Sequence, residues 1–317
     1  MFTLCRICVL ALSLSLVGAC TRDLMTVEFS NVIDREVVPL DKVVPFLIVK
    51  ATIAGQNRSW IIDTAASRTF IDEGIAESLH LKKMSQATGK DFNGEFPVFE
   101  VAAVPIRLGS LTLQSRSFLT MDMTAITRMA GQEIAGILGH DFLSGVIAEF
   151  EFASSRIALY DPKKFRLATK PGLSSGYPHR RYAAFRGTIN ENIEVRWIMD
   201  TGSTRSTLHY NFLKRHPELM AGKTGASLNQ AAHTRTRLSL LRVPSLQLAG
   251  REFRDFELEA ADEKSENLVF MNEAVDGILG LDLLRNYRVY LDYKKEIFLL
   301  VNKDSTVTGQ VLESQNN

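Results

Sequence analysis

The chain repeats itself, so any fold it adopts must accommodate two like units. Trp60-Ile61-Ile62-Asp63-Thr64-Ala65-Ala66-Ser67-Arg68-Thr69 returns, at an offset of 137, as Trp197-Ile198-Met199-Asp200-Thr201-Gly202-Ser203-Thr204-Arg205-Ser206. Val104-Pro105 and Leu108-Gly109 return as Val243-Pro244 and Leu248-Ala249-Gly250. Gly136-Ile137-Leu138-Gly139-His140-Asp141-Phe142-Leu143 returns, at an offset of 141, as Gly277-Ile278-Leu279-Gly280-Leu281-Asp282-Leu283-Leu284. Three matched blocks in one order, with offsets drifting by only four residues, mark a duplicated domain.

Each copy reads mostly as strands. Phe46–Ile53 and Trp60–Ile62 are short and rich in apolar and β-branched residues, and Gly55-Gln56-Asn57 separates them as a turn. Phe150–Phe152 with Arg156–Tyr160, and Tyr287–Tyr293 with Glu296–Val301, close the two copies as hairpins. Short helices are expected at 75–79 and 211–215. The 317 residues suit two domains at roughly 100–200 residues each. Hydrophobic residues at 45% and charged residues at 23% supply a core, which excludes a disordered, collagen-like or polytopic membrane chain. Lys and Arg total 37 against 36 Asp and Glu, so nothing in the charge balance points to nucleic acid.

The expected organisation is a leader at 1–19, a tether and first segment at 20–43, a first lobe at 44–161, a linker at 162–182, a second lobe at 183–303 and a polar tail at 304–317. The leader carries Arg6, an apolar run from Ile7 to Val17 and small residues up to Ala19, as a secretory signal does. Val17-Gly18-Ala19-Cys20 resembles a bacterial lipobox, which implies lipidation of Cys20; cleavage after Ala19 as an ordinary signal peptide also suits Val-x-Ala. Cys5, Cys8 and Cys20 are the only cysteines, so a mature chain beginning at Cys20 has no internal disulfide.

The chemistry lies in the repeated Asp-Thr turns. An acidic residue ending an apolar strand is costly to bury, and Ile61-Ile62 and Ile198-Met199 carry Asp63 and Asp200 out of a core into a turn. Taken alone, either triplet is an ordinary hairpin end. Two of them at one place in a repeated unit meet at a pseudo-twofold axis if the copies pack about one. Facing carboxyls cannot both ionise cheaply, so they hold one proton between them. One then serves as base toward a bridging water and the other as acid toward a carbonyl, which is the chemistry of amide hydrolysis.

Strand–Asp-Thr-Gly/Ala turns followed some seventy residues later by an apolar-apolar-Gly block resemble the aspartic proteases, pepsin-like and retropepsin-like, over about residues 44–301. The resemblance implies a mostly β, bilobal fold of two retropepsin-like lobes with a cleft between them. It implies Asp63 and Asp200 as the catalytic pair, complete within one chain. It makes Thr64 and Thr201 the crossed hydroxyls that join the turns, Gly202 the motif glycine and Ser203 the hydroxyl supporting the outer oxygen of its aspartate. Ile137-Leu138-Gly139 and Ile278-Leu279-Gly280 are expected to pack behind the turns. Gly89–Val101 is the candidate flap hairpin, with Phe92, Asn93, Gly94 and Phe96 at its tip; its alternative is a plain surface hairpin. The counterpart near 227–238 is polar and less convincing.

The first copy departs from the family pattern. Ala65 stands where glycine is usual, and Ala66 offers no hydroxyl where the second copy has Ser203. An added methyl is harmful if that backbone needs positive φ. With more donors, Asp200 is expected to hold the charge and Asp63 the proton. The expected partner is a peptide or protein substrate, with no metal or organic cofactor and a lipid anchor at Cys20. The expected place is the bacterial envelope, at the outer membrane facing the periplasm, or secretion as a soluble protein. The rival reading is a non-catalytic peptide-binding or scaffolding lipoprotein with the same fold. Gly172-Leu173-Ser174-Ser175-Gly176 fits Gly-x-Ser-x-Gly, but Lys170-Pro171 before it and Tyr177-Pro178 after it are linker chemistry and not a nucleophile elbow. His140, where the second copy has Leu281, reads as local packing.

Overall fold

The computed structural model describes residues 25–30, 34–91, 94–167, 182–230, 235–261 and 275–303, with short strand pieces at 6–7, 13–14, 174–175 and 310–311. At 90–91, 94–96, 228–230 and 235–237 the description is of backbone alone. Cys20, Phe92 and Asn93 lie outside the described residues, as do most of the leader, the connector and the tail.

The chain folds into two β lobes of like plan joined by a shared sheet. In the first lobe, Ile48–Ile53 and Gln56–Ile62 form an antiparallel hairpin. Beside it Ile134–Leu138 runs parallel to Gln56–Ile62, and Phe70–Asp72 pairs antiparallel on its other side. The second lobe repeats this arrangement. Ala184–Ile189 pairs with Ile193–Met199, which lies parallel to Gly277–Leu279, and Thr207–Leu208 follows on the far side. In each lobe the chain therefore leaves a strand, turns through the Asp-Thr block, and returns to the sheet two strands over, beyond the interposed parallel strand. All five residues of Ile134–Leu138 are buried, which explains why that segment reads as a continuous apolar run instead of an alternating one.

Each turn rests on a tryptophan. Trp60 and Trp197 are fully buried in the main core. A Cβ at Gly136 would lie 2.6 Å from the Trp60 ring, and one at Gly277 would lie 2.6 Å from the Trp197 ring. These glycines recur because the indole ring of the neighbouring strand takes the place that a side chain there would need.

A long hairpin projects from each lobe. Lys83–Asp91 pairs with Gly94–Ala102 through Asp91↔Gly94, which places Gly94 and Phe96 on the returning strand of the candidate flap. Lys223–Gln230 pairs with Arg235–Leu248 through Gln230↔Arg235, so the second hairpin forms in spite of its polarity. Its ladder is held by backbone bonds, which do not depend on an apolar sequence. Two leader pieces join the hairpin edges: Ser13–Leu14 pairs antiparallel with Lys90 and Gly89, and Arg6–Ile7 pairs parallel with Asn229–Gln230.

The third sheet belongs to both lobes. Ile147–Glu151 pairs antiparallel with Tyr287–Asp292, and each carries its hairpin partner, Arg156–Tyr160 and Ile297–Asn302. Arg35–Pro39 lies on the outer side of Arg156–Tyr160, and Thr26–Glu28 joins the first-lobe sheet at Leu111–Gln114. Both lie N-terminal to the residue-44 boundary expected for the first lobe. In the central pair Glu149 faces Tyr290, two positions related by the same offset of 141 that relates the Gly-Ile-Leu-Gly blocks. Equivalent residues meet face to face only on a twofold, so the pseudo-twofold axis passes between them.

Candidate active site

Asp63 and Asp200 each sit one residue beyond a strand, held there by the neighbouring parallel strand. The Asp63 amide donates to the Leu138 carbonyl at 3.1 Å, and the Asp200 amide to the Leu279 carbonyl at 2.9 Å. The Ile-Leu-Gly blocks thus fix the backbone from which both carboxyls project.

The threonines that follow tie the two turns together. The Thr64 amide donates to Thr201 Oγ1 at 3.1 Å, and the Thr201 amide donates to Thr64 Oγ1 at 3.1 Å. Each hydroxyl in turn donates across the interface, Thr64 to the Met199 carbonyl and Thr201 to the Ile62 carbonyl, both at 2.8 Å. Four hydrogen bonds therefore join residues 135 to 139 apart in sequence, and all of them are buried.

This bonding brings the carboxyls together. Asp63 Oδ1 accepts the Ala65 amide at 2.7 Å and the Ala66 amide at 3.1 Å. Asp200 Oδ1 accepts the Gly202 amide at 2.7 Å. A Cβ on Gly202 would lie 2.7 Å from Asp63 Oδ2 and 3.1 Å from Asp200 Oδ1, so both groups close on this glycine from either side. Both aspartates are fully buried, and their Oδ2 atoms have no protein donor among the described residues.

Burial raises both carboxyls above their ordinary 3.8, Asp200 to about 7, and the Asp200 charge adds to the rise of Asp63. Backbone donors pull the other way, Ala65 and Ala66 on Asp63, and Gly202 and Ser203 on Asp200. The donors do not distinguish the two, since each carboxyl accepts two backbone amides. The Ser203 hydroxyl donates to the Arg205 carbonyl at 2.8 Å, and Asp63 accepts two backbone amides of its own.

The turn accepts its alanines. Neither Ala65 nor Gly202 has positive φ, so this backbone does not require glycine. Ala65 is buried in an apolar cluster that includes Ala184, Ile198 and Ile278 of the second lobe, and Ala66 in one that includes Phe70 and Ile137 of the first.

Some residues that build the site carried little signal in the sequence. Asp141 is buried and accepts the Thr69 amide at 3.0 Å and the Thr69 hydroxyl at 2.7 Å; Asp282 does the same for Ser206, at 2.9 and 2.7 Å. These carboxylates clamp the far end of each Asp-Thr turn, and their recurrence in the Gly-Ile-Leu-Gly-x-Asp blocks was the available signal. Arg68 reaches Ser117 Oγ at 2.9 Å and Glu100 at 3.4 Å, linking the first turn to the base of its hairpin. Tyr293, from the last hairpin, donates to the Thr64 carbonyl at 2.9 Å; no local pattern announced it.

A family model described as aspartyl protease matches the chain twice, over residues 49–142 and 185–283. No match to a curated protein is found.

Proposed function

The chain belongs to the aspartyl protease family, and from that premise we propose that it is an aspartic endopeptidase whose catalytic groups are Asp63 and Asp200. The reading is carried by the reciprocal bonding of Thr64 and Thr201, which seats two buried carboxyls against each other. So placed, they share one proton. Asp200, the more readily ionised, takes a proton from a water lying between them as the water oxygen bonds to the scissile carbonyl carbon. Asp63 gives its proton to the carbonyl oxygen, and a tetrahedral diol results. Asp200 then passes its proton to the departing nitrogen as the C–N bond breaks, and Asp63 recovers its own from the diol. The substrate lies extended beneath the two hairpins, whose edges already accept short lengths of extended backbone.

The unstrained fit of Ala65 and Ala66 favours this reading over a peptide-binding scaffold. The test is incubation of the mature protein with a denatured protein from acid to neutral pH, with and without pepstatin. Cleavage is expected to be blocked by the inhibitor and to fall by about 10³-fold in Asp200→Asn and in Asp63→Asn. Peptide binding without cleavage by the unaltered protein would overturn it.

The proposal includes export and attachment by lipid at Cys20, motivated by the apolar leader and Val17-Gly18-Ala19-Cys20. Labelled palmitate is expected to enter the unaltered chain and not the Cys20→Ser variant; equal labelling of both would exclude this site.

A further inference from the structure

Tyr293 follows the strand Tyr287–Asp292 in the terminal hairpin of the second repeat. Its hydroxyl nevertheless reaches the first catalytic turn and donates to the Thr64 carbonyl at 2.9 Å, across 229 residues of chain. That carbonyl is one end of a peptide unit whose other end, the Ala65 N–H, donates to Asp63 Oδ1 at 2.7 Å. A donor placed on an amide oxygen polarises the amide and strengthens its N–H as a donor in turn. Tyr293, the Thr64–Ala65 peptide and Asp63 therefore form one relay of hydrogen bonds.

Resting on the aspartic-protease reading above, we propose that Tyr293 is a positioning residue of the dyad, holding the Asp63 carboxyl in place through the Thr64–Ala65 peptide. Two further observations support it. The position equivalent to Tyr293 in the first repeat, at the offset of 141, is Phe152, which has no hydroxyl. The residue bracing the Tyr293 ring is His140, edge-on at 4.9 Å and 88°, and its equivalent is Leu281. Both members of the pair thus serve one side of a nearly symmetric site, the side where Ala66 stands in place of a hydroxyl-bearing residue. The His140 amide also donates to the Ala66 carbonyl at 2.8 Å, which ties this brace to the same turn.

The titratable groups around the hydroxyl are Asp63, Asp200 and Tyr182, with His140 at the ring edge. Burial and the two aspartate charges push the Tyr293 hydroxyl well above its ordinary range, so it remains a donor wherever the dyad works.

Tyr293→Phe keeps the ring and removes the donor. With a fluorogenic peptide, kcat is expected to fall about tenfold while KM stays within about twofold, because only the reacting carboxyl is disturbed. The alkaline limb of kcat/KM, where Asp63 gives up its proton, is expected to move up by about half a pH unit, since the carboxylate loses donor strength. A hydroxyl that merely supported the fold would lower the rate without moving that limb. The Asp63 carboxyl followed by carbon NMR reads the same shift without turnover. His140→Leu, which leaves the hydroxyl but unbraces its ring, is expected to shift it in the same direction by less. An Asp63 titration moved in neither variant overturns the positioning role, whether or not the protein cleaves peptide. A moved titration in a protein that cleaves nothing upholds that role and removes the endopeptidase reading instead.

Discussion

Ala65 and Gly202 occupy equivalent places with unequal consequences. At Gly202 the space beside Cα is taken by both carboxyls, whereas Ala65 is a member of an apolar cluster with residues of the second lobe. Substitution at the first turn is therefore compatible with a dyad that leans on the second. The same burial that gathers the acids makes their ionisation costly. Both are raised from 3.8, Asp200 to about 7, so the folded state binds these protons more tightly than the unfolded chain does. The stability that the Asp200 proton gives is complete below about pH 4 and is lost as pH rises through about 7. Asp200→Asn removes the titration. Its Tm is expected to exceed that of the unaltered protein by an amount that grows between pH 4 and pH 7, on the order of 5 °C at the upper end. Calorimetry showing the same difference at both pH values would contradict this. The pair of aspartates was legible in sequence because both ended apolar strands in a repeat. Tyr293 was not, because its partner lies 229 residues away and no periodicity spans that distance.

Among the elements, the strand leading to Asp63 and the closing hairpins followed from apolar runs and turn residues, although Gln56–Ile62 begins four residues before the expected Trp60. The interposed strands Ile134–Leu138 and Gly277–Leu279 were legible as repeated blocks, but not as parallel neighbours of the catalytic strands, since pairing direction leaves no local mark. The glycines at their centres and starts test that placement. A Cβ at Gly136 would meet the Phe70 carbonyl at 2.1 Å, and one at Gly277 would meet the Thr207 carbonyl at 2.8 Å, each with an indole ring alongside. Alanine at either position is expected to cost about 2–3 kcal/mol, seen as a lower urea midpoint. Gly225→Ala, where the methyl would meet only Leu240 at 3.8 Å, is expected to change the midpoint little and serves as the control. If Gly136 and Gly277 behaved like Gly225, the close approach of each glycine to its neighbouring tryptophan would be wrong.

At the scale of the whole molecule, the duplication became an axis. Glu149 faces Tyr290 across the shared sheet, and its buried carboxylate accepts hydroxyls from Tyr160 and Tyr290, the latter at 2.7 Å, with Arg288 at 3.3 Å. An ion pair this buried is held by several donors, as the cost of desolvation demands. It contributes to the register that fixes one lobe against the other, and the same axis continues through the four threonine bonds to the dyad. The sequence by itself determined that there are two like β units, which residues end their strands as acids, and which family the pattern resembles. These are matters of residue type and spacing along the chain. Only the tertiary structure decided that the lobes share a sheet, that Ala65 fits without positive φ, and that Tyr293 and His140 serve one side of the site. Those depend on how surfaces meet across more than a hundred residues of chain, where packing and desolvation act and local pattern carries no information.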